Sequence, residues 1–234
     1  MVTREKQTET NVPPFATPTW IRPLVGARGY GPTLAGGWTS AEQFDVVTRS
    51  ADGRQQMVTR MSEDAIIEQA DNRNKAAAVL ENIYKSRVDF AGLKMSKPHV
   101  MGVVNTTPDS FSDGGAHLAP ATAISCGMAM SRAGASIIDI GGESTRPGAE
   151  AITRNQELAR VLPTISGLSR QNIRLSIDTR HAEVMTRACA AGAAVINDVE
   201  ALRREGSVDA AAVSGARVIL MHMQGQPEIM QDEP

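Results

Sequence analysis

The 234-residue chain is 41% apolar but only 3% aromatic and has a formal charge of −2, so its core must be built from aliphatic side chains, Ala and Gly. This composition suits helices packed on strands better than a β-sandwich, and the lack of a basic excess argues against nucleic-acid binding. No apolar stretch approaches the length of a membrane span, which predicts a soluble, cytoplasmic protein. Cys126 and Cys189 are far apart in predicted helices, and we expect free thiols in a reducing compartment.

Residues 1–95 are interpreted as an N-terminal extension. Residues 1–40 are rich in Pro, Gly and Thr and lack periodicity, which predicts irregular structure. Asp52-Gly53 lies between two β-rich runs and predicts a hairpin turn, and Ser62 predicts the start of one helix that continues to about Tyr84. The expected inner face of this helix comprises Ile66, Ile67, Ala70, Ala77 and Leu80. Nothing here has catalytic spacing, so we expect this segment to plug the bottom of a barrel or to make a subunit contact.

Residues 96–234 alternate between strand-like and helix-like segments. Five short apolar runs each end in a polar side chain, and a short β-rich run without a polar face indicates a buried parallel strand. The polar residues at the ends of these runs are Asn105, Asp139, Asp178, Asn197 with Asp198, and His222.

The alternation predicts an α/β fold with a parallel sheet and helices outside it, either doubly wound or a TIM (β/α)8-type barrel. The barrel is favoured because polar residues end most of the strands, whereas a doubly wound sheet concentrates its chemistry at one switch point. About five strand–helix units are visible, and a complete barrel takes about 250 residues, so we expect an incomplete barrel. The clearest helical stripe comprises Leu158, Val161, Leu162, Ile165 and Leu168.

Two polar loops follow the first two of these strands. The first contains one aromatic residue, Phe111, which is unusual at a polar loop tip unless it packs on something. In the second, Gly141-Gly142 would let the backbone approach a ligand closely, and Thr145 with Arg146 offers donors to an anion. The alternatives are an ordinary connecting loop in the first case and mutual neutralisation of Glu143 and Arg146 in the second.

Five motifs follow one another over residues 98–232: Asn-Thr-Thr-Pro-Asp-Ser-Phe-Ser-Asp-Gly-Gly, Asp-Ile-Gly-Gly-Glu-Ser-Thr-Arg-Pro-Gly, Ser-Ile-Asp-Thr, Ile-Asn-Asp-Val and Leu-Met-His-Met-Gln-Gly. In this order and spacing they resemble the dihydropteroate synthase family of folate biosynthesis. Members of that family are transferases that join p-aminobenzoate to 6-hydroxymethyl-7,8-dihydropterin diphosphate, release pyrophosphate and use Mg²⁺. Sulfonamides compete for the p-aminobenzoate site. The resemblance implies these two small-molecule substrates, and a homodimer in the full-length form.

The resemblance implies a role for each strand-end residue. Asp178 and Asn197 would hold the pterin edge, because a carboxylate accepts from two adjacent N–H donors and a carboxamide both donates and accepts. Asp139 would contact the pterin ring, and Asn105 would hold Mg²⁺ together with the diphosphate. The expected catalytic residues are therefore Asn105, Asp139 and Asp178.

Further residues are assigned by the same resemblance. Met221 would pack near the pterin face, although a core methionine is an equally open interpretation. His222 is interpreted as a structural residue bonded to backbone and His181 as a surface residue, while Arg180 stands where the family often has another basic residue. The remaining substrate-binding residues lie on two loops that would close over the diphosphate: Phe111, Ser144, Thr145, Arg146 and Pro147.

Members of the family continue with a sixth-strand Asp, a Ser-Arg-Lys segment and a final Arg with a nearby His. These groups bind the pterin carbonyl, the p-aminobenzoate carboxylate and the diphosphate, and the sequence ends at Pro234 without them. We therefore expect a fragment of a longer gene product rather than a naturally short form. We also expect the isolated chain to be inactive and poorly stable or associated.

Two alternatives stay open. A pterin-binding methyltransferase domain shares the barrel and the strand-end Asp and Asn residues, but methyl transfer needs no p-aminobenzoate pocket, so the two loop motifs argue against it. The other alternative is a non-catalytic chain that binds pterin or a partner barrel without turnover.

Overall fold

The computed structural model describes residues 19–25, 32–49, 56–107, 120–143 and 152–222. The chain divides into two compact units, the first drawn from Met1–Val88 with Lys94–Lys97 and the second from Asp89–Leu93 with Pro98–Pro234. Among the described residues, every helix is too short or too polar to cross a lipid bilayer.

The described part of the first unit contains a three-stranded antiparallel sheet, a short 3₁₀ helix (Leu34–Gly36) and two α-helices. Its elements are β1 (Thr19–Pro23), β2 (Phe44–Arg49), β3 (Gln56–Met61), α1 (Glu63–Gln69) and α2 (Arg73–Tyr84). β2 is central, with β1 and β3 on either side. β2 and β3 form the expected hairpin pair, and the Asp52-Gly53 turn lies outside the described residues.

β1 lies in the stretch predicted to be irregular, so that prediction is wrong for Thr19–Pro23. β1 is an edge strand that pairs with β2, and its proline lies at its end, where a missing N–H is tolerated.

The single helix predicted from Ser62 to Tyr84 is in fact two helices, so that prediction is also wrong. Ser62 caps α1, because its hydroxyl accepts from a first-turn amide, and Asn72 caps α2 in the same way. The break between the helices shifts the helical register of the second one. Ala76 is therefore buried in the core of this unit, and Ala77, which was expected there, is exposed.

The second unit is built on a five-stranded parallel sheet. Its elements are β4 (Met101–Asn105), α3 (Pro120–Arg132), β5 (Ile137–Gly141), α4 (Arg154–Ser169), β6 (Leu175–Asp178), α5 (Ala182–Ala190), β7 (Val195–Asp198), α6 (Ser207–Ser214) and β8 (Arg217–Leu220). The strands lie side by side in chain order, β4-β5-β6-β7-β8. Since the order never reverses among the described strands, this part of the sheet has no switch point, which is the arrangement of a (β/α)8 barrel rather than of a doubly wound sheet. The predicted barrel type and the five strands are confirmed.

Alternate residues of these strands pack against the helices. Ile138 and Ile140 of β5, with Ile177 of β6, belong to one buried core that also includes residues from α3 to α6. The predicted stripe of α4 lies in the same core, with Leu162 only partly buried at its edge. Each fully buried aliphatic side chain contributes roughly 1.5–3 kcal/mol through the hydrophobic effect. Because side chains alternate along a strand, the residues between these isoleucines face the other side of the sheet.

Ile165→Ala is expected to lower the free energy of unfolding by about 2–5 kcal/mol, because the side chain is fully buried and its truncation leaves a cavity between α4 and the sheet. Urea denaturation followed by circular dichroism measures this loss. The control is Val213→Ala, which shortens an exposed side chain of α6 and is expected to change the free energy by less than about 0.5 kcal/mol. Equal losses in the two variants would contradict the core described above.

Candidate active site

The carboxyl ends of β4 to β7 bring polar side chains to one edge of the sheet. The strand register aligns Asn105 with Gly141, Gly141 with Asp178, and Asp178 with Asn197. Asp139 precedes Gly141 by two residues and therefore lies on the same face. This is the face opposite the helices. The structure thus brings together four of the residues predicted from the sequence.

Asp139 and Asn197 are buried and hydrogen-bonded to each other. The Asn197 side-chain amide donates to Asp139 Oδ2 over 3.1 Å. Within the described part of the chain, Asp139 Oδ1 and Asn197 Oδ1 are buried without a hydrogen-bond partner. Burial raises the pKa of the Asp139 carboxyl above its ordinary value, outweighing the opposing effect of the neighbouring Ser176 and Asn197 side chains. Two buried acceptors are thus available to a ligand that carries N–H groups.

Asp178 lies in an environment that disfavours its charged form. Burial, followed by the negative charges of Asp139, Glu157, Asp198 and Glu143, raises the pKa of Asp178 from 3.8 to about 7. Hydrogen-bond donors supplied by a ligand would strongly stabilise the charged form of such a carboxylate. Strongly perturbed carboxyl groups of this kind occur more often at functional sites than elsewhere.

Gly141 leaves a gap between Asn105 and Asp178. A Cβ atom at position 141 would lie 3.1 Å from Asn105 Oδ1 and 3.6 Å from Asp178 Oδ2, so both oxygens border the same space. Mg²⁺ often takes few protein ligands when phosphate oxygens and water supply the others. Among the described residues, no three His, Cys, Asp or Glu side chains are grouped to hold a metal by themselves. The Asn105 oxygen that borders this space is of a type that suits a magnesium ion shared with a phosphate group.

Gly142 has a different neighbour from Gly141. A Cβ atom at position 142 would lie 2.8 Å from Val161 Cγ1 and 2.9 Å from Glu157 Cγ, both on α4. Arg160 of the same helix donates to the Gly142 carbonyl over 2.9 Å. The sequence interpretation assigned both glycines to a ligand. The structure supports close approach of a ligand to the backbone only at Gly141. At Gly142 the missing side chain instead makes room for the packing of α4.

The residues after β7 and β8 serve two different purposes. Asp198 is fully buried, and its carboxylate accepts the backbone amides of Glu200 and Leu202, both over 2.8 Å, so it holds the turn after β7. The Met221 amide donates to the Asp198 carbonyl over 3.1 Å, which brings Met221 to the same edge of the sheet. His222 is exposed and makes no hydrogen bond to any residue of the described ranges, so the structure gives no support to the expected backbone bond.

Five predicted substrate-binding residues lie outside the described residues: Phe111, Ser144, Thr145, Arg146 and Pro147. The two cysteines, Cys126 and Cys189, are both free and partly buried, as expected from the sequence.

Sequence reasoning missed a set of charged contacts just beyond the strand ends. Arg180 pairs with Glu143 and Glu200. The interpretation of His181 as a surface residue is wrong, because its ring is largely buried and lies 2.8 Å from the fully buried carboxylate of Glu157. The available signal was spacing, since Glu143, Arg180 and Glu200 each follow the last residue of their strand by two positions.

A family model described as pterin binding enzyme matches residues 101–234. The dihydropteroate synthase of Escherichia coli strain K12 is 47% identical over 143 residues, which cover 61% of this chain and 51% of that protein. The chain thus spans about half the length of the curated relatives it matches.

Solved structures agree with this result. The Yersinia pestis dihydropteroate synthase in complex with a sulfonamide drug matches with a TM-score of 0.58 at 48% identity, over 63% of this chain and 55% of that chain. The Xanthomonas albilineans dihydropteroate synthase with 4-aminobenzoic acid matches with a TM-score of 0.56 at 52% identity, over 59% and 52% of the two chains. Since the family model covers more than half of the sequence, this chain belongs to the pterin binding enzyme family.

Proposed function

We propose that this chain carries the pterin-binding part of a dihydropteroate synthase. The whole protein would join p-aminobenzoate to 6-hydroxymethyl-7,8-dihydropterin diphosphate and release pyrophosphate, a transfer reaction of folate biosynthesis. The observation that carries this proposal is the register of Asn105, Asp178 and Asn197 on one face of the sheet, with Asp139 beside them. In support, the relatives compared above are named dihydropteroate synthases, and one was solved with 4-aminobenzoic acid.

The pterin edge matches the acceptors on this face. A pterin presents adjacent N–H donors and a carbonyl acceptor. Ionised Asp178 would accept two of those donors at once, which is a strong, charge-assisted arrangement. Asn197 already donates to Asp139, so its free Oδ1 would accept a further pterin N–H. Asp139, held in place by Asn197, would contact the ring through Oδ1.

Departure of the diphosphate would take place at the Asn105 end of this row. Asn105 would supply one oxygen to Mg²⁺, which when bound draws charge into the departing pyrophosphate. The C–O bond breaks with its electron pair leaving on pyrophosphate, and the resulting pterin cation accepts the nitrogen of p-aminobenzoate, which then loses a proton. Because the C–O bond breaks before the amine attacks, the amine needs no general base, and we assign no catalytic role to His222.

Phe111, Ser144, Thr145, Arg146 and Pro147 are proposed to form the p-aminobenzoate pocket, where sulfonamides would compete, and Met221 to pack on the pterin face. The two free cysteines support a reducing, cytoplasmic location. Homodimerisation of the full-length protein stays a prediction, which light scattering would test.

Protein expressed from the complete coding sequence is expected to convert the dihydropterin diphosphate and labelled p-aminobenzoate into dihydropteroate in the presence of Mg²⁺. Asp178→Ala is expected to abolish pterin binding and turnover, because the paired acceptor is lost. Retained turnover in this variant would overturn the assignment of Asp178. Binding of labelled p-aminobenzoate with pterin and pyrophosphate separates a synthase from a methyltransferase domain, for which no such binding is expected.

Asp178→Asn is expected to weaken pterin binding roughly 10- to 100-fold while stabilising the free protein, because a charged acceptor is worth about 1.5–3 kcal/mol and its burial without a ligand is unfavourable. The pKa of Asp178 in the folded protein, about 7, lies above its ordinary value of 3.8. Ionisation of Asp178 therefore lowers the stability of the folded protein progressively as the pH rises from about 4 to about 7. At pH 8 the variant should be more stable by up to about 4 kcal/mol, and below pH 4 the difference should vanish. Calorimetry and urea denaturation across pH measure both effects.

The matched control is Asp71→Asn, which makes the same chemical change at an exposed position of the first unit. It should leave pterin affinity unchanged and show no comparable gain in stability at pH 8. An Asp178→Asn variant that is less stable than wild type at pH 8 would contradict the raised pKa of Asp178.

Asn105→Ala is expected to weaken Mg²⁺ binding about tenfold, because one of the few protein oxygens that fit the ion is removed. Electron paramagnetic resonance of Mn²⁺ in the presence of pyrophosphate measures this affinity without turnover. Asn155→Ala, at an exposed position of α4, is the control and should leave the affinity unchanged. Unaltered Mn²⁺ affinity in Asn105→Ala would remove Asn105 from the metal site.

A further inference from the structure

Three charged residues form a compact group just beyond the ends of β5, β6 and β7. Arg180 donates to both carboxylate oxygens of Glu143, from Nη2 over 2.8 Å and from Nε over 2.9 Å. Its Nη1 donates to Glu200 Oε1 over 3.0 Å. We call Glu143, Arg180 and Glu200 the strand-end triad. Arg180, from the turn after the middle strand, thus reaches the turns after both neighbouring strands.

The triad is well shielded from solvent. The side-chain exposures are 9% for Glu143, 14% for Arg180 and 16% for Glu200. Hydrogen bonds to Glu143 and Glu200 raise the pKa of the Arg180 guanidinium above its ordinary range, so it stays charged. Exposed ion pairs are worth little, but a shielded, bidentate arginine pair in a network is held in one geometry.

The triad continues to α4 through a second arginine. Arg204 donates to Glu200 Oε2 over 2.8 Å, and its Nη1 lies 2.8 Å from His181 Nε2. Since arginine has no acceptor, Nε2 must accept, and the His181 proton is therefore on Nδ1, where it faces Glu157 Oε2 over 2.8 Å. The turn that follows Asp178 is in this way bonded to three other segments.

The position of the triad indicates what it does. Backbone pairing aligns Gly141 with Asp178 and Asp178 with Asn197, and no register pair follows these two among the described residues. Beyond these pairs, the side-chain hydrogen bonds of the triad connect the ends of the three strands. A buried ion pair contributes little net stability compared with apolar residues of similar volume. Its better-attested effect is to specify one geometry, here the spacing of three strand ends.

We propose that Arg180 is a positioning residue of the pterin site, which holds Glu143 and Glu200 and thereby sets the spacing between Asp139, Asp178 and Asn197. The inference rests on the proposed function for its ligand. Arg180 is not required to touch the pterin, because it acts through the two carboxylates.

The test compares Arg180→Met, Arg180→Lys and the exposed control Arg154→Met, whose ion pair with Glu183 is long, at 3.8 Å, and open to solvent. Hydrogen exchange of the free protein is measured first. Arg180→Met should accelerate exchange of the Thr179 and Glu200 amides about tenfold or more, since both are bonded at the strand ends. The amide of Ile138, near the start of β5 and bonded to the Arg174 carbonyl, should be unaffected, and Arg154→Met should behave as wild type.

Affinity for 6-hydroxymethylpterin is then measured by calorimetry. Arg180→Met should bind about tenfold more weakly, a loss of about 1.4 kcal/mol, and Arg180→Lys should recover part of this loss because it keeps the charge without the fork of donors. The double variant Glu143→Gln with Arg180→Met should lose no more affinity than Arg180→Met alone, because both substitutions break the same ion pair between Arg180 and Glu143.

Unchanged amide exchange in Arg180→Met would overturn the proposal whatever the ligand affinity. Faster exchange with wild-type pterin affinity would also overturn it, as would additive losses in the double variant, which indicate direct ligand contact. Failure of the wild-type protein to bind the pterin would count against the proposed function instead, and the exchange measurement would still decide whether Arg180 orders the strand ends.

Discussion

The candidate site depends on one constraint, the strict alternation of side chains along parallel strands held in a common register. Ile138, Ile140 and Ile177 are buried against the helices, so Asp139 and Asp178 must face the other way. A slip of one residue in β6 would move Asp178 into the apolar layer and Ile177 into the site. The burial that stabilises the helix–sheet core therefore also orients the polar groups.

The carboxyl ends of the strands concentrate negative charge at a cost to stability. Burial and four neighbouring acids raise the pKa of Asp178, and burial raises the pKa of Asp139. Arg180 neutralises two acids close to this region but does so beyond the strand ends, leaving the face itself rich in acceptors. A flat ligand with several N–H groups would satisfy these acceptors and stabilise the buried carboxylates, and a pterin has this chemistry.

The strand-end residues could be predicted because their signal is local. A polar residue that ends a short apolar run is visible in the sequence, and this located Asn105, Asp139, Asp178 and Asn197. The break between α1 and α2 could also have been found, since Asn72 is a good helix cap. The contacts of Arg180 with Glu143 and of Gly142 with Val161 join positions distant in sequence. Spacing after the strands could mark Glu143 and Arg180 as neighbours at one edge of the sheet, but only the assembled sheet shows which distant side chains actually meet.

The two adjacent glycines at the end of β5, Gly141 and Gly142, have a mechanical consequence. Asn105 and Asp178 lie on one side of this backbone at Gly141, and α4 packs on the other side at Gly142. The wall between the ligand space and the helix layer is therefore a single bare peptide unit, with no side chain to absorb a displacement. A change of side-chain volume at Val161 would therefore displace this backbone directly, so ligand affinity should be sensitive to the packing of a helix on the opposite side of the sheet from Asn105 and Asp178.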